Sequence, residues 1–414
     1  MKIKNNYITI YYFTLYFSLI LGFFYGEDFA GGFKYDLKTH KFIIDELFSK
    51  SLVYGLLNYD IYYVAHSPLF IVFLVIFKNL FISEEIFRFV NLHIFLLIPL
   101  FIGLSLKEKF NLKNNDIRFL LPSIVFLSPY FRAGAIWTDD NILAIVFLSI
   151  AIFNFIKYKK NNLEFKYIII FTVFFAFACY LRPIYCLFSI YFSLIFLIDL
   201  GISRRLIYYI LINILLAFPA FYYVFILEIN RWATESLFRE NAITQISLVL
   251  SVIVFYFLPF LVEKLYENLK NILNFKNLLG CLIYIVILFL FFNYDKQYSG
   301  GIFYKISKLI FNTNYLFFLI SSLSGLIFYI FFLKNKINFK NLDLVLLIVL
   351  FLLEIDGVIY HETYDPLIYI LILLLFKNPV IVNFIKDFNY TRFGIILSFL
   401  GFFYLASIAK LFIV

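Results

Sequence analysis

YITIYYFTLYFSLILGFFYGED, residues 7–28, decides the fold class: residues 7–25 carry no charge, and two adjacent acids follow at once. A bilayer's hydrocarbon core takes about 20 apolar residues of helix to cross, and this run has that length. Lys2 and Lys4 precede it, and it ends in the bulky Gly22-Phe23-Phe24-Tyr25 without a small-residue cleavage pattern. The segment therefore reads as a retained first span with a cytoplasmic N-terminus. Of 414 residues 64% are apolar, 23% aromatic and 15% charged, and mean hydropathy is +0.93. That surface excludes a water-soluble enzyme, and so much apolar material excludes a disordered chain.

Further apolar runs lie near 67–82, 89–106, 119–131, 141–156, 167–181, 184–200, 206–227, 246–262, 278–293, 315–333, 342–360, 366–376 and 393–413. If every run crossed, the lysine-rich loop 107–118 and all later basic loops would face outward, against the positive-inside rule. The run 67–82 opens with Pro68 and ends in Ser83-Glu84-Glu85, so it is read as re-entrant or interfacial. The expectation is an all-α polytopic membrane protein of about 13 transmembrane helices, forming a single integral membrane domain. Its first outer loop, 26–88, carries surface helices, and a second outer loop spans 294–313. The net charge of +9 then belongs to the cytoplasmic loops, where it orients the chain and calls for no nucleic acid. Cys179, Cys186 and Cys281 lie in or beside apolar runs, with no disulfide framework or zinc spacing.

This topology places most carboxylates and all four histidines on the outer side. Glu27, Asp28 and, after the flexible Gly31-Gly32, Asp36 stand at the outer exit of the first span. Carboxylates held there are suited to general base work or to a divalent cation. From Asp36 to Gly55 apolar residues recur at helical spacing among charges, which predicts an amphipathic helix on the outer surface. His66 leads into Pro68. Arg132 and the Trp137-Thr138-Asp139-Asp140-Asn141 turn join two spans, and Arg182-Pro183 makes another tight outer turn. A cation at that depth is costly unless an anion meets it, such as a lipid phosphate. Lys305 follows the Gly300-Gly301 hinge, and Glu354, Asp356, His361 and Tyr364 mark the outer end of a late span.

In this order the elements resemble the GT-C superfamily of membrane glycosyltransferases, specifically glycosyltransferase family 39, the protein O-mannosyltransferase and aminoarabinose transferase type. Glu27-Asp28 occupies that family's acid position. His66-Ser67-Pro68-Leu69 is similar to its His/Lys-Pro-Pro-Leu element, with Ser67 in place of a proline. Arg132 through Asp139 is similar to its Arg-x-Asp turn at longer spacing, Arg182-Pro183 to its basic turn, and His361 through Pro366 to its late His-x-x-Tyr-x-x-Pro element. The resemblance implies inverting transfer of a sugar from a polyprenyl-phosphate donor to a glycan, lipid or protein acceptor, on the periplasmic face of a bacterial plasma membrane. Glu27, Asp28 or Asp36 would be the catalytic base. His66, Arg132, Asp139, Asp140, Arg182, Lys305, His361 and Tyr364 would bind substrate, the cations among them steadying the departing phosphate. Metal dependence stays open, since the same three acids are chemically able to hold a divalent cation. The alternative readings are a polysaccharide polymerase or ligase of the O-antigen type and a transporter of lipid-linked sugars.

Overall fold

The computed structural model describes residues 5–59, 68–81, 83–113, 115–161, 163–226, 241–272, 274–296, 299–333, 342–354 and 358–413. His66 and Asp356 lie outside them. Among the described residues the regular structure is helical, without a strand. The helices are α1 Asn5–Tyr25, α2 Phe33–Leu47, α3 Leu52–Leu57 and α4 Pro68–Leu80. They continue as α5 Glu84–Phe110, α6 Pro129–Trp137, α7 Asp140–Lys160, α8 Phe165–Leu181, α9 Pro183–Leu200 and α10 Arg204–Ile226. Then come α11 Ala242–Glu267, α12 Phe275–Phe291, α13 Gly301–Phe311, α14 Tyr315–Leu333 and α15 Asp343–Leu352. The series ends with α16 Leu367–Leu374, α17 Pro379–Lys386 and α18 Tyr390–Ile413.

Among the described residues eight helices are long and apolar enough to cross a membrane, or up to ten if each of two bent pairs is one span. One pair is the 3₁₀ run Ile117–Leu127 with α6, bent by 67°; the other is His361–Leu374 with α17, bent by 80°. The run expected at 119–131 is thus broken, because Ser128 caps a new helix at Phe131 N and Pro129 takes its first turn. Short polar residues set the other boundaries in the same way. Ser51 accepts from Tyr54 N, Ser83 from Ile86 N, Asp139 from Ile142 N and Ser203 from Leu206 N. The cap at Ser51 is what divides the expected amphipathic segment into α2 and α3.

The chain packs as two compact units, Met1–Asn230 with Phe388–Val414, and Arg231–Asp387. In the first, α7 lies against α5 and α8, and Phe155, Phe171, Phe192 and Phe196 meet at ring separations of 4.6 to 6.1 Å. The tilted and edge-on rings supply dispersion contact that lipid tails do not replace. On the surface α2 is tied to its neighbours by the ion pairs Lys41–Glu84 and Lys78–Asp45. In the second unit α11 is the central helix. Where it meets α14, Ser321 Oγ donates to Ser247 O at 3.3 Å, and small side chains let the backbones approach.

Candidate functional site

The first-unit site begins with how α1 ends. Gly26 adopts φ +65°, its N–H reaches Phe23 O at 3.1 Å, and Glu27 N reaches Gly22 O at 2.8 Å. This pair of bonds is a Schellman cap, and it folds Glu27 back over the last turn of α1. The carboxylate then meets Arg132 of α6 side-on: Nε donates to Oε1 and Nη2 to Oε2, each at 2.6 Å. Both side chains are only 3% exposed. Arg132 Nη1 also donates to Ser18 Oγ (2.9 Å) and Nη2 to Ser18 O (3.0 Å), while Tyr404 OH of α18 approaches Glu27 Oε1 at 3.4 Å. Trp137 Nε1 donates to Glu27 O at 2.9 Å. Gly22 is required by this closeness, for a Cβ there would collide with Glu27 Oε2 and stand 2.9 Å from Arg132 Nη2.

Two residues that the resemblance sets at opposite ends of a displacement, base and phosphate ligand, are therefore partners of one another. With both carboxylate oxygens taken up by a buried guanidinium, Glu27 is turned toward Arg132 and presents no open oxygen to a substrate. Asp28, the next residue, is placed differently. It is half-buried, its Oδ2 accepts from Lys34 N at 3.2 Å, and its Oδ1 has no hydrogen-bond partner among the described residues. Burial pushes its carboxyl above the ordinary range, against the lowering effect of the backbone N–H groups of Gly31, Gly32, Phe33 and Lys34. Gly31 and Gly32, at φ +83° and +104°, form the turn that presents those groups. Asp36 lies one step further, in the first turn of α2.

Beside this loop two cations address one indole. The Arg88 guanidinium stacks on Trp137 at 3.6 Å, with Nε donating to Ile136 O at 2.8 Å, and Lys34 Nζ lies 5.2 Å from the same ring. From Trp137 the chain turns through Thr138, at φ +63°, directly into α7, whose N-cap is Asp139. Asp140 is buried and faces Arg182 Nη1 at 3.8 Å; Asn141 Oδ1 accepts from Tyr185 OH at 2.6 Å. Arg182 keeps 27% of its side chain exposed.

The remaining predicted residues belong to the second unit. His361 is buried against the rings of Tyr256 and Phe255, at 5.1 and 5.7 Å, within electrostatic reach of Lys305 on α13. Tyr364 is fully buried and directs its hydroxyl to Leu350 O at 3.3 Å, a structural use of that group. Glu354 is buried, its carbonyl accepting from Gln245 Nε2 at 2.8 Å.

Sequence reasoning did not single out Arg88, Trp137 as a ring, Ser18, Gly22 or Tyr404. Arg88 had a signal, a lone cation early in the apolar segment 84–110; Tyr404 is one of 33 tyrosines and had none. Among the described residues no cluster of three or more His, Cys, Asp or Glu is arranged to hold a metal ion. Comparison with family models, curated proteins and solved structures finds no match to this chain.

Proposed function

We propose that the chain is a membrane glycosyltransferase of GT-C type that moves a sugar from a polyprenyl-phosphate donor to an acceptor hydroxyl at the outer membrane face, with Asp28 as the base. The observation that carries this is the carboxylate of Asp28: raised in pKa, one oxygen without a hydrogen-bond partner among the described residues, and held in a glycine turn beside a cation-flanked indole. Asp28 takes the acceptor proton as the acceptor oxygen bonds to the anomeric carbon. The carbon–oxygen bond to phosphate breaks, and the electron pair leaves with the phosphate, inverting the centre. Arg182, 27% exposed beside the buried Asp140, stabilises that departing charge. Roles for Lys305 and His361 in substrate binding rest on the resemblance. Glu27–Arg132 acts as the brace under the loop.

Thirteen crossings result if each bent pair is one span, if Phe165–Leu181, Phe275–Phe291 and Asp343–Leu352 also cross, and if Pro68–Leu80 stays at the interface. In a transfer assay with purified protein and a polyprenyl-phosphate sugar, Asp28→Asn is expected to lower the rate by about 10²- to 10⁴-fold while leaving donor binding intact. Transfer at the wild-type rate would remove Asp28 as the base.

A further inference from the structure

Where α9 gives way to α10, a cavity of about 440 Å³ is lined by Leu163, Asp199, Leu200, Ser203, Arg204 and Arg205. Its one carboxylate is already neutralised: both Asp199 oxygens accept from Lys159 Nζ, at 2.8 and 2.7 Å. Arg204 and Arg205 are exposed and, among the described residues, have no carboxylate within ion-pair distance. Ser203 Oγ accepts from Leu206 N, which leaves its hydroxyl hydrogen for a further acceptor. The lining therefore offers two planar guanidinium groups and a hydroxyl, a donor set matched to phosphate oxygens.

What surrounds the cavity says what the phosphate is attached to. From Arg204 the helix runs on with an apolar stripe that stays largely open among the described residues: Ile207, Leu211, Ile214, Leu215 and Phe218 are 53%, 54%, 63%, 73% and 73% exposed. Their spacing follows one face of an α-helix. In the Gly201 turn beside the cavity Ile202 is 97% exposed, a position that suits a residue dipped among acyl chains. In a bilayer this stripe lies among acyl chains, and the arginines stand at its end, where the phosphates of those same lipids lie.

We propose that this cavity binds the phosphate headgroup of an anionic phospholipid, its acyl chains lying along the Ile207–Phe218 face of α10. The volume falls within the range of small-molecule sites. Two arginines without carboxylate partners repel the ammonium of a zwitterionic headgroup, so the site selects lipids that carry none. It is independent of the transfer reaction and stands or falls apart from it.

The test is native mass spectrometry of the full-length protein in non-ionic detergent, titrated with phosphatidylglycerol and, separately, with phosphatidylcholine of the same acyl chains. One saturable, high-affinity phosphatidylglycerol is expected, with no equivalent for phosphatidylcholine. Each basic residue beside an anionic lipid is worth about fivefold in affinity, so Arg204→Gln with Arg205→Gln should weaken binding by about 25-fold. The paired Arg204→Lys and Arg205→Lys variant keeps charge and helix propensity and should fall between the two. Lys276→Gln, at an exposed position in the second unit, should bind as wild type. Equal binding of the two lipids, wild-type affinity in the double glutamine variant, or an equal loss in Lys276→Gln would each overturn the site. So would displacement of the lipid by an equal concentration of glycerol phosphate, since a soluble headgroup would then suffice.

Discussion

Replacing Glu27 by Gln tests the brace directly. The wild-type pair has two 2.6 Å charge-assisted bonds between side chains that are each 3% exposed, so the change leaves a guanidinium in a nearly dry site without its counter-charge. Breaking a buried pair from one side costs about 3–5 kcal/mol. Glutamine is isosteric and keeps one acceptor for Arg132, and the bond from Trp137 goes to the backbone and survives, which places the expected loss near the lower end, about 3 kcal/mol. Arg132→Met alone strands the carboxylate and should cost a similar amount. Together the two changes remove both charges, and the double variant should be less destabilised than the sum by about 2–3 kcal/mol. Equilibrium unfolding of detergent-solubilised protein across the four-membered cycle measures this coupling. Asp28→Asn, one residue away, serves as the comparator and should shift stability by no more than about 0.5 kcal/mol at low pH. If Glu27→Gln unfolds with wild-type stability, or if the two losses simply add, the brace is not what holds the loop.

Gly22→Ala places a methyl against Glu27 Oε2 and Arg132 Nη2 and should cost about 1–3 kcal/mol by thermal unfolding; a neutral result would mean that the pair moves aside freely. Because burial raises Asp28, folding favours its protonated form. Wild-type stability relative to Asp28→Asn is therefore full below the ordinary carboxylate value of 3.8 and is lost as pH rises through the raised folded value, so the gap between the two melting curves should widen from pH 4 to pH 7. Transfer should show the complementary profile, its rate falling as pH drops through the same raised value, because the base must be ionised. Arg182→Ala should raise KM for the lipid donor more than it alters acceptor kinetics, and unchanged donor kinetics would remove Arg182 from the phosphate.

The parts of the fold legible in the sequence are those that local chemistry determines. Uncharged runs marked the long apolar helices, and Ser83, Asp139 and Ser203 stand at helix starts as capping residues should. The break at Ser128-Pro129 carried the same signal, yet the apolar character of residues 119–131 hid it, since apolar residues continue on both sides of the break. Of the candidate site, the acids at the α1 exit and the turn after Trp137 were legible as positions. Their division of labour was not. Glu27 and Arg132 are 105 residues apart, and nothing in either neighbourhood distinguishes a carboxylate that will be clamped from one that will stay partly open. Nor does composition mark the two compact units, because each is built from the same apolar helices.

The return of α18 to the first unit has a consequence for biogenesis. Tyr404 touches Glu27, Phe403 lies near Tyr130 and Phe393 meets Tyr11, so α1 and α6 gain neighbours translated only after the whole second unit. Until then that side of α1 must be shielded by lipid or by the insertion machinery. The order of synthesis thus makes completion of the first unit a late event, timed by the emergence of residues 390–413.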